Sequence, residues 1–295
     1  MTNTEENLVT GSQQPVNQAA EHLTTETGNV SHEATLFAEP VFNIGNFTVT
    51  NSLINSWAVV VIVILLSLAI KKRVKRIPGR LQGFAETILE GALNLADSVT
   101  GDRRKSKKIF PIAFGIFIFV ILNNWLGLLP GIGSIGFIET HQGHSMFIPW
   151  FRGATADLNT TLALAIVTVI GANVFGVLMV GFWSHFNKFI NLKAFLEIPK
   201  KFKKDPTIAF VNPIKAFVGL IEIVGEVAKV ASLSFRLFGN IFAGEVLLSA
   251  MAVIFAFGLP IPFMFLEVIV GLIQALIFAM LTLVYFTIAS EAEEH

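Results

Sequence analysis

KVASLSFRLFGNIFAGE, residues 229–245, sets the guanidinium of Arg236 inside an apolar run that extends from Ile214 to Phe257. Arginine keeps its charge, because its pKa lies above about 12. At the centre of a bilayer that charge costs from about 2.5–3.5 kcal/mol on insertion scales to about 10–17 kcal/mol in simulations. A run this apolar otherwise reads as membrane-buried helix, so the arginine needs either a polar setting or a task. As one straight helix the run would be about 66 Å long, about twice the thickness of the hydrocarbon layer. It must therefore tilt, bend or protrude. Pro260 and Pro262 end it, and a further apolar segment, Ile261 to about Ala289, returns. The pair reads as a long helical hairpin.

The rest of the chain has a membrane composition. Of 295 residues, 53% are hydrophobic and 14% charged, whereas soluble domains carry about 25% charged residues. The absence of cysteine excludes disulfides, thiolate metal sites and cysteine nucleophiles. No cofactor or metal site is read from the sequence, and no nucleic-acid partner is expected. Met1 to about Thr50 is polar, free of Lys and Arg, and carries six glutamates. It lacks the basic and apolar regions of a cleaved signal, and its first forty residues have the composition of a chain disordered in isolation.

The first span runs from about Ser52 to Ile70 and is followed at once by KKRVKR, residues 71–76. Pro78 to Val99 differs: Leu81, Phe84, Ile88, Leu89, Leu93 and Ala96 recur at helical spacing, with Gln82, Glu86, Glu90 and Asp97 on the other side. This helix should lie along the interface or against a partner helix. A second basic cluster, Gly101 to Lys108, leads into a second span, Ile109 to Leu129. Asn123, Asn124 and Trp125 near its end suit an interface or an interhelical hydrogen-bonding site. The loop to Ala156 contains GIGSIG, residues 131–136, which formally matches G-x-G-x-x-G. It follows a membrane span with no βαβ unit around it, so it is not a nucleotide site. His141 and His144 in the same loop have no carboxylate or cysteine company and read as loop residues.

A third span, about Leu158 to Trp183, is entered through Asp157 and Asn159. Asp157 reads either as the N-cap of this helix or, with Asn159, as the mouth of an aqueous path. Eleven of the 21 basic residues lie between Lys71 and Lys108, and six more between Lys188 and Lys204. By the positive-inside rule these segments are cytoplasmic. The expected topology is N-terminus outside, five membrane-embedded segments (about 52–70, 109–129, 158–183, 214–257 and 261–289), an interfacial helix at 78–99, and C-terminus inside. The fold class is an all-α integral membrane protein, its membrane domain spanning residues 51–295 behind a polar tail of residues 1–50.

The polar residues of the hairpin are ordered. At about 100° per residue, Lys229 lies about 20° and Glu222 about 40° from Arg236, with Asn240 near the same face and Glu245 about 180° away. On the returning helix Glu267 and Gln274 share a face. Such a hairpin can border two separate polar compartments. For Glu226 and Lys229, three apart, a local ion pair or a solvated helix end serves equally well. Asn240 and Gln274 read as polar-path residues or as interhelical hydrogen-bond donors. Gly239, Gly244 and Gly271 suit close approach of another helix.

SLSFRLFGNIFAGE, residues 232–245, resembles the hallmark segment of subunit a of the F-type ATP synthase. The similarity extends to FLEVIVGLIQALIFAMLTLVYFTIASEAEEH at the C-terminus, to ADLNTTLAL at Asp157 and to the PGRLQ start of the interfacial helix. It covers the chain from about Leu36 onward. The resemblance implies a stator subunit whose long hairpin packs against a rotating ring of c subunits, each bearing one membrane carboxylate. Two offset half-channels lead protons to and from that ring, and the b-subunit stalk and the remaining synthase subunits complete the assembly within membrane lipid. It implies that Arg236 faces the ring carboxylate and that Asn240 lies one turn on. It further implies that Glu245, Glu267 and Gln274 belong to the outer half-channel and Glu222 to the cytoplasmic side. Where some members pair a histidine with a glutamate across the helices, this chain has Glu245 and Glu267; two nearby carboxylates repel when both are ionised, so one tends to keep its proton. The chain has no P-loop, so ATP chemistry falls to other subunits. The coupling ion is expected to be H⁺, with Na⁺ the alternative, and the membrane that of a bacterial cell. A self-contained secondary transporter or channel is the competing reading, but the matching halves common in such proteins are missing.

Overall fold

The computed structural model describes residues 35–75, 79–129, 131–132, 135–141, 144–183, 208–255, 258 and 260–291. Among them are five helices long and apolar enough to cross a membrane. These are α1 (Asn51–Arg73), α3 (Arg103–Gly127), α4 (Leu158–Val180), α5 (Ile208–Ile254) and α6 (Pro260–Ser290). The shorter α2 (Arg80–Thr100) links α1 to α3, and two antiparallel hairpins complete the described chain: β1 (Pro40–Ile44) with β2 (Phe47–Thr50), and β3 (Gly136–His141) with β4 (His144–Pro149). The fold is that of an all-α integral membrane protein.

Helix α6 packs against α3, α4 and α5, while α4 fills the angle between α5 and α6. Lipid gives apolar helices little drive to associate, so close contact rests on small residues and interhelical polar bonds. Both are present. Ala165, Ala275, Ala172 and Ala113 are buried where helices meet, and the Gly271 carbonyl accepts from Asn124 Nδ2 at 3.0 Å. Nearby, Trp125 Nε1 donates to the Val268 carbonyl at 3.1 Å, and Asn55 Nδ2 donates to Asn123 Oδ1 at 3.2 Å. Asn123, Asn124 and Trp125 are thus interhelical bonding residues.

The ends of the bundle differ. The basic end carries the C-terminus of α1 and the start of α3. There Lys108 Nζ lies 3.8 Å from Met179 Sδ and Lys105 lies 3.8 Å from Glu291, which brings the last turns of α4 and α6 to this end. Helix α2 packs on α3 and α6, leaving Phe84, Ile88 and Leu89 exposed. It stops at Gly101, whose φ of +67° is the left-handed conformation that ends many helices. The side chain of Asp102 then caps α3 by accepting from the Arg104 amide at 2.8 Å, and Arg103 pairs with Asp97. The lysine-rich segment 188–204, the tail 1–34 and the last residues 292–295 lie outside the described residues.

The opposite end is closed by a strap, residues 35–50, part of which the composition assigns to structureless chain. Long-range bonds hold it instead. The Ala38 amide donates to Asp157 Oδ1 at 3.2 Å, the Glu39 amide to Asn51 Oδ1 at 3.3 Å, and the Leu158 amide to the Leu36 carbonyl at 3.5 Å. Asn51 is fully buried and also reaches the Pro149 carbonyl at 3.3 Å, tying the strap to the second hairpin.

Candidate functional site

Helix α5 is 47 residues long and carries two faces. Leu233, Leu237 and Ile241, four apart, are buried against α4 and α6. The opposite face holds Phe235, Arg236 and Asn240, all exposed. Four-residue spacing makes one stripe, and at about 100° per residue Arg236 lies about 100° from Leu237, off the buried stripe and on the exposed side of α5. Its guanidinium makes one hydrogen bond, from Nη2 to Ser232 Oγ at 3.3 Å. Among the described residues no carboxylate forms an ion pair with Arg236.

About 13 Å further along the axis, α5 meets a polar cavity of about 190 Å³ at the strap end. Its lining includes Asn124, Arg152, Glu245, Ser249 and Glu267. Such a space, with these polar groups set in an otherwise apolar wall, has room for several water molecules. Arg152 is buried and gives its fork to Glu245: Nε lies 3.0 Å from Oε1 and Nη2 lies 2.8 Å from Oε2. Its remaining donors reach the Thr35 carbonyl at 2.7 Å, Thr35 Oγ1 at 3.0 Å and the Phe37 carbonyl at 3.2 Å. Glu267, on α6, is also buried, yet its Oε1 has no hydrogen-bond partner among the described residues. Its carboxyl rests on Gly244, where a β-carbon would collide with all three carboxyl atoms. Gly271 is likewise close to Asn124, whereas Gly239 opens on empty space.

On the other side of Arg236, towards the basic end, a second polar cluster joins three helices. Lys229 Nζ lies 2.6 Å from Glu226 Oε1, Asn173 Nδ2 donates to Glu226 Oε2 at 3.1 Å, and the Lys229 ammonium stands 5.4 Å from the centre of the Tyr285 ring. Glu226 and Lys229 therefore form the local ion pair. Glu222 and Gln274 are half-buried and line neither polar pocket. Asp157 is buried at the start of α4. Its oxygens accept from the Asn159 and Thr160 amides, the Thr160 hydroxyl, Ser52 Oγ and the Ala38 amide, which is the geometry of a cap that also ties the strap. Asn159 itself is exposed.

Sequence reasoning missed Arg152. The available signal was its solitude: it is the only basic residue between Pro130 and Ala156, on the side of the membrane where basic residues are scarce. Asn173 and Tyr285 were missed as well, since nothing local marks them.

Five apolar crossing helices, with an exposed guanidinium and a buried unpartnered carboxyl on the last two, define a multi-pass membrane protein that carries ionisable groups to membrane depth. The chain belongs to the ATP synthase A chain family, whose sequence model matches residues 53–287. It is similar to ATP synthase subunit a of Syntrophobacter fumaroxidans, with 29% identity over 86% of this chain and 90% of the relative. The corresponding protein of Trichlorobacter lovleyi is 30% identical over 80% of this chain and 85% of the relative. That of Geobacter sulfurreducens is 30% identical over 78% and 83%. Membership makes the chain a subunit of an F-type ATP synthase, with a part in proton transport and ATP synthesis.

Proposed function

We propose that the chain is the ion-translocating stator of the synthase, offering protons two offset half-channels and setting Arg236 against the carboxylate of a c-subunit ring. The observation that carries this reading is Arg236 itself: a permanent cation on the exposed face of a crossing helix, with no carboxylate paired to it among the described residues. Such a charge is costly in lipid, and a ring carboxylate passing at the same depth supplies the missing partner. An adjacent guanidinium favours the ionised form of a carboxyl, so the ring acid releases its proton there. Beyond Arg236, facing lipid, the charge is costly again and the acid takes up a new proton.

The two polar pockets lie on either side of this point. The cavity of Glu245 and Glu267 serves as the outer half-channel, with Gln274 further along α6, and Asp157 and Asn159 belong to the frame of its mouth. The cluster of Asn173, Glu226, Lys229 and Tyr285, with Glu222, opens towards the basic end, which the positive-inside rule makes cytoplasmic. The b-subunit stalk and the remaining synthase subunits hold the stator still, in a bacterial plasma membrane, while ATP chemistry belongs to other chains.

The test is proton movement in vesicles holding the whole assembled complex, native or Arg236→Ala. The expected result is loss of ATP-driven pumping from an intact complex. Pumping at the native rate would overturn the reading.

A further inference from the structure

Glu245 and Glu267 have the same side chain and line the same cavity, but they are bonded in opposite ways. Both oxygens of Glu245 accept from one guanidinium, at 3.0 and 3.2 Å from Arg152 Nε and 2.8 Å from Nη2. Arginine cannot yield a proton in exchange, so a proton arriving on Glu245 gives up the charge-assisted strength of this bidentate pair. The clamp is built to last. A loop against the end of α3 delivers Arg152: Gly153 sits so close to Gly127 that a β-carbon on Gly127 would lie 2.8 Å from the Gly153 α-carbon. Two residues on, Thr155 Oγ1 donates to Asn124 Oδ1. The rest of the guanidinium is taken by Thr35 and Phe37 of the strap.

Glu267 has none of this. Its Oε1 is buried without a hydrogen-bond partner among the described residues, beside a cavity that admits water, with Gly244 beneath the carboxyl in place of any side chain. A carboxyl oxygen in that position is open to gain or give a proton without breaking a protein hydrogen bond.

We infer that Arg152 is a positioning residue that holds Glu245 as a fixed anion of the cavity wall, leaving Glu267 as the group that carries the moving proton there. This rests on the half-channel reading above. The two carboxylates are therefore not successive stations of one relay: Glu245 balances the buried Arg152 charge, and Glu267 does the transfer. The step is a simple proton exchange, from cavity water to the Glu267 carboxylate and from the carboxylic acid onward.

The test is a double-mutant cycle on proton pumping in vesicles bearing the whole complex. Glu245→Gln alone strands the Arg152 charge, and pumping should fall. Arg152→Gln with Glu245→Gln removes both charges and should recover pumping by at least about tenfold over the single Glu245→Gln variant. A purely relaying Glu245 admits no such rescue, since the carboxyl is still absent; a double variant no better than Glu245→Gln overturns the inference. Glu267→Gln, which is isosteric with the protonated acid, should lose pumping and remove a protonated-carboxyl band from the infrared difference spectrum against the native complex. Should the paired variants fail to assemble, that spectrum decides alone: an unchanged protonated-carboxyl band overturns the inference. Arg236→Ala in the same vesicles separates the two levels. If it pumps at the native rate, the half-channel reading itself fails. If it does not and the double variant is not rescued, only the division of labour between the carboxylates fails.

Discussion

Arg152 and Arg236 are the same side chain in one membrane domain, and the chain treats them in opposite ways. Arg152 makes six hydrogen bonds, all within the protein. Arg236 makes one, at 3.3 Å, and faces outward. A cation whose donors are all consumed contributes to holding the fold, and removing it leaves buried acceptors without donors. A cation whose donors are spare is available to something outside the chain. The difference predicts where each substitution registers: at Arg152 in stability, at Arg236 in transport.

The largest expected separation is between those two residues. Arg236→Gln should abolish pumping while leaving the stability of the complex within about 0.5 kcal/mol of native, as for a surface change. Arg152→Gln should lower stability by up to about 3 kcal/mol, the low end for breaking a buried ion pair, because Glu245 keeps 27% exposure. Thermal unfolding of the detergent-extracted complex reads both, and equal melting losses would erase the distinction between the two arginines.

Gly244→Ala sharpens the comparison from the carboxylate side. Helix propensity favours alanine over glycine by about 1 kcal/mol, so without a collision the variant would be more stable. Here the new methyl meets the Glu267 carboxyl and must push it off its seat. Proton transport should fall several-fold despite the better propensity. Gly91→Ala on α2, where a β-carbon meets nothing, should show the propensity gain with no loss of transport. Transport losses of the same size at both glycines would mean that seating of Glu267 is irrelevant.

A smaller effect is expected at Asn55, which belongs with Arg152 among the polar groups spent on structure. Asn55→Ala removes its bond to Asn123 and should cost about 0.6 kcal/mol, the average for interhelical hydrogen bonds in a membrane protein. Pumping by assembled complex should stay at the native rate. A large pumping loss with no change in melting would move Asn55 into the functional class.

The same contrast explains what the sequence made legible. Spans, the interfacial helix and the hairpin follow from hydropathy and a 3.6-residue period, which are local. Arg236 stood out because one charge breaks an apolar run; close approach was expected alike at Gly239, Gly244 and Gly271, and is met at the last two but not at Gly239. Arg152 was hidden because its partners are 93 and 117 residues away, and no periodicity encodes a contact made through a loop. The strap was hidden for the same reason: its anchors on Asp157, Asn51 and Leu158 belong to other segments, while its own composition reads as solvated chain. The pattern of Glu245 and Glu267 gave two acids, and only their surroundings make them unlike.

Thr35 offers the finest cut. Its hydroxyl and carbonyl both accept from Arg152, at 3.0 and 2.7 Å, so Thr35→Ala deletes one acceptor and keeps the other. A single hydrogen bond contributes about 0.5–1.5 kcal/mol net, and stranding its donor would cost up to about 3 kcal/mol. Arg152 Nη1 keeps one of its two N–H groups on the Phe37 carbonyl at 3.2 Å and loses the acceptor of the other. The expected loss therefore lies between those two figures. It should appear as faster amide hydrogen exchange at Ala38 and Leu158, whose bonds hold the strap. Pumping should not change, because the bonds from Arg152 to Glu245 stay in place. If pumping drops together with strap protection, the hydroxyl of Thr35 rather than the carboxylate of Glu245 is what holds Arg152 in position, and the fork on Glu245 follows from the strap instead of anchoring it.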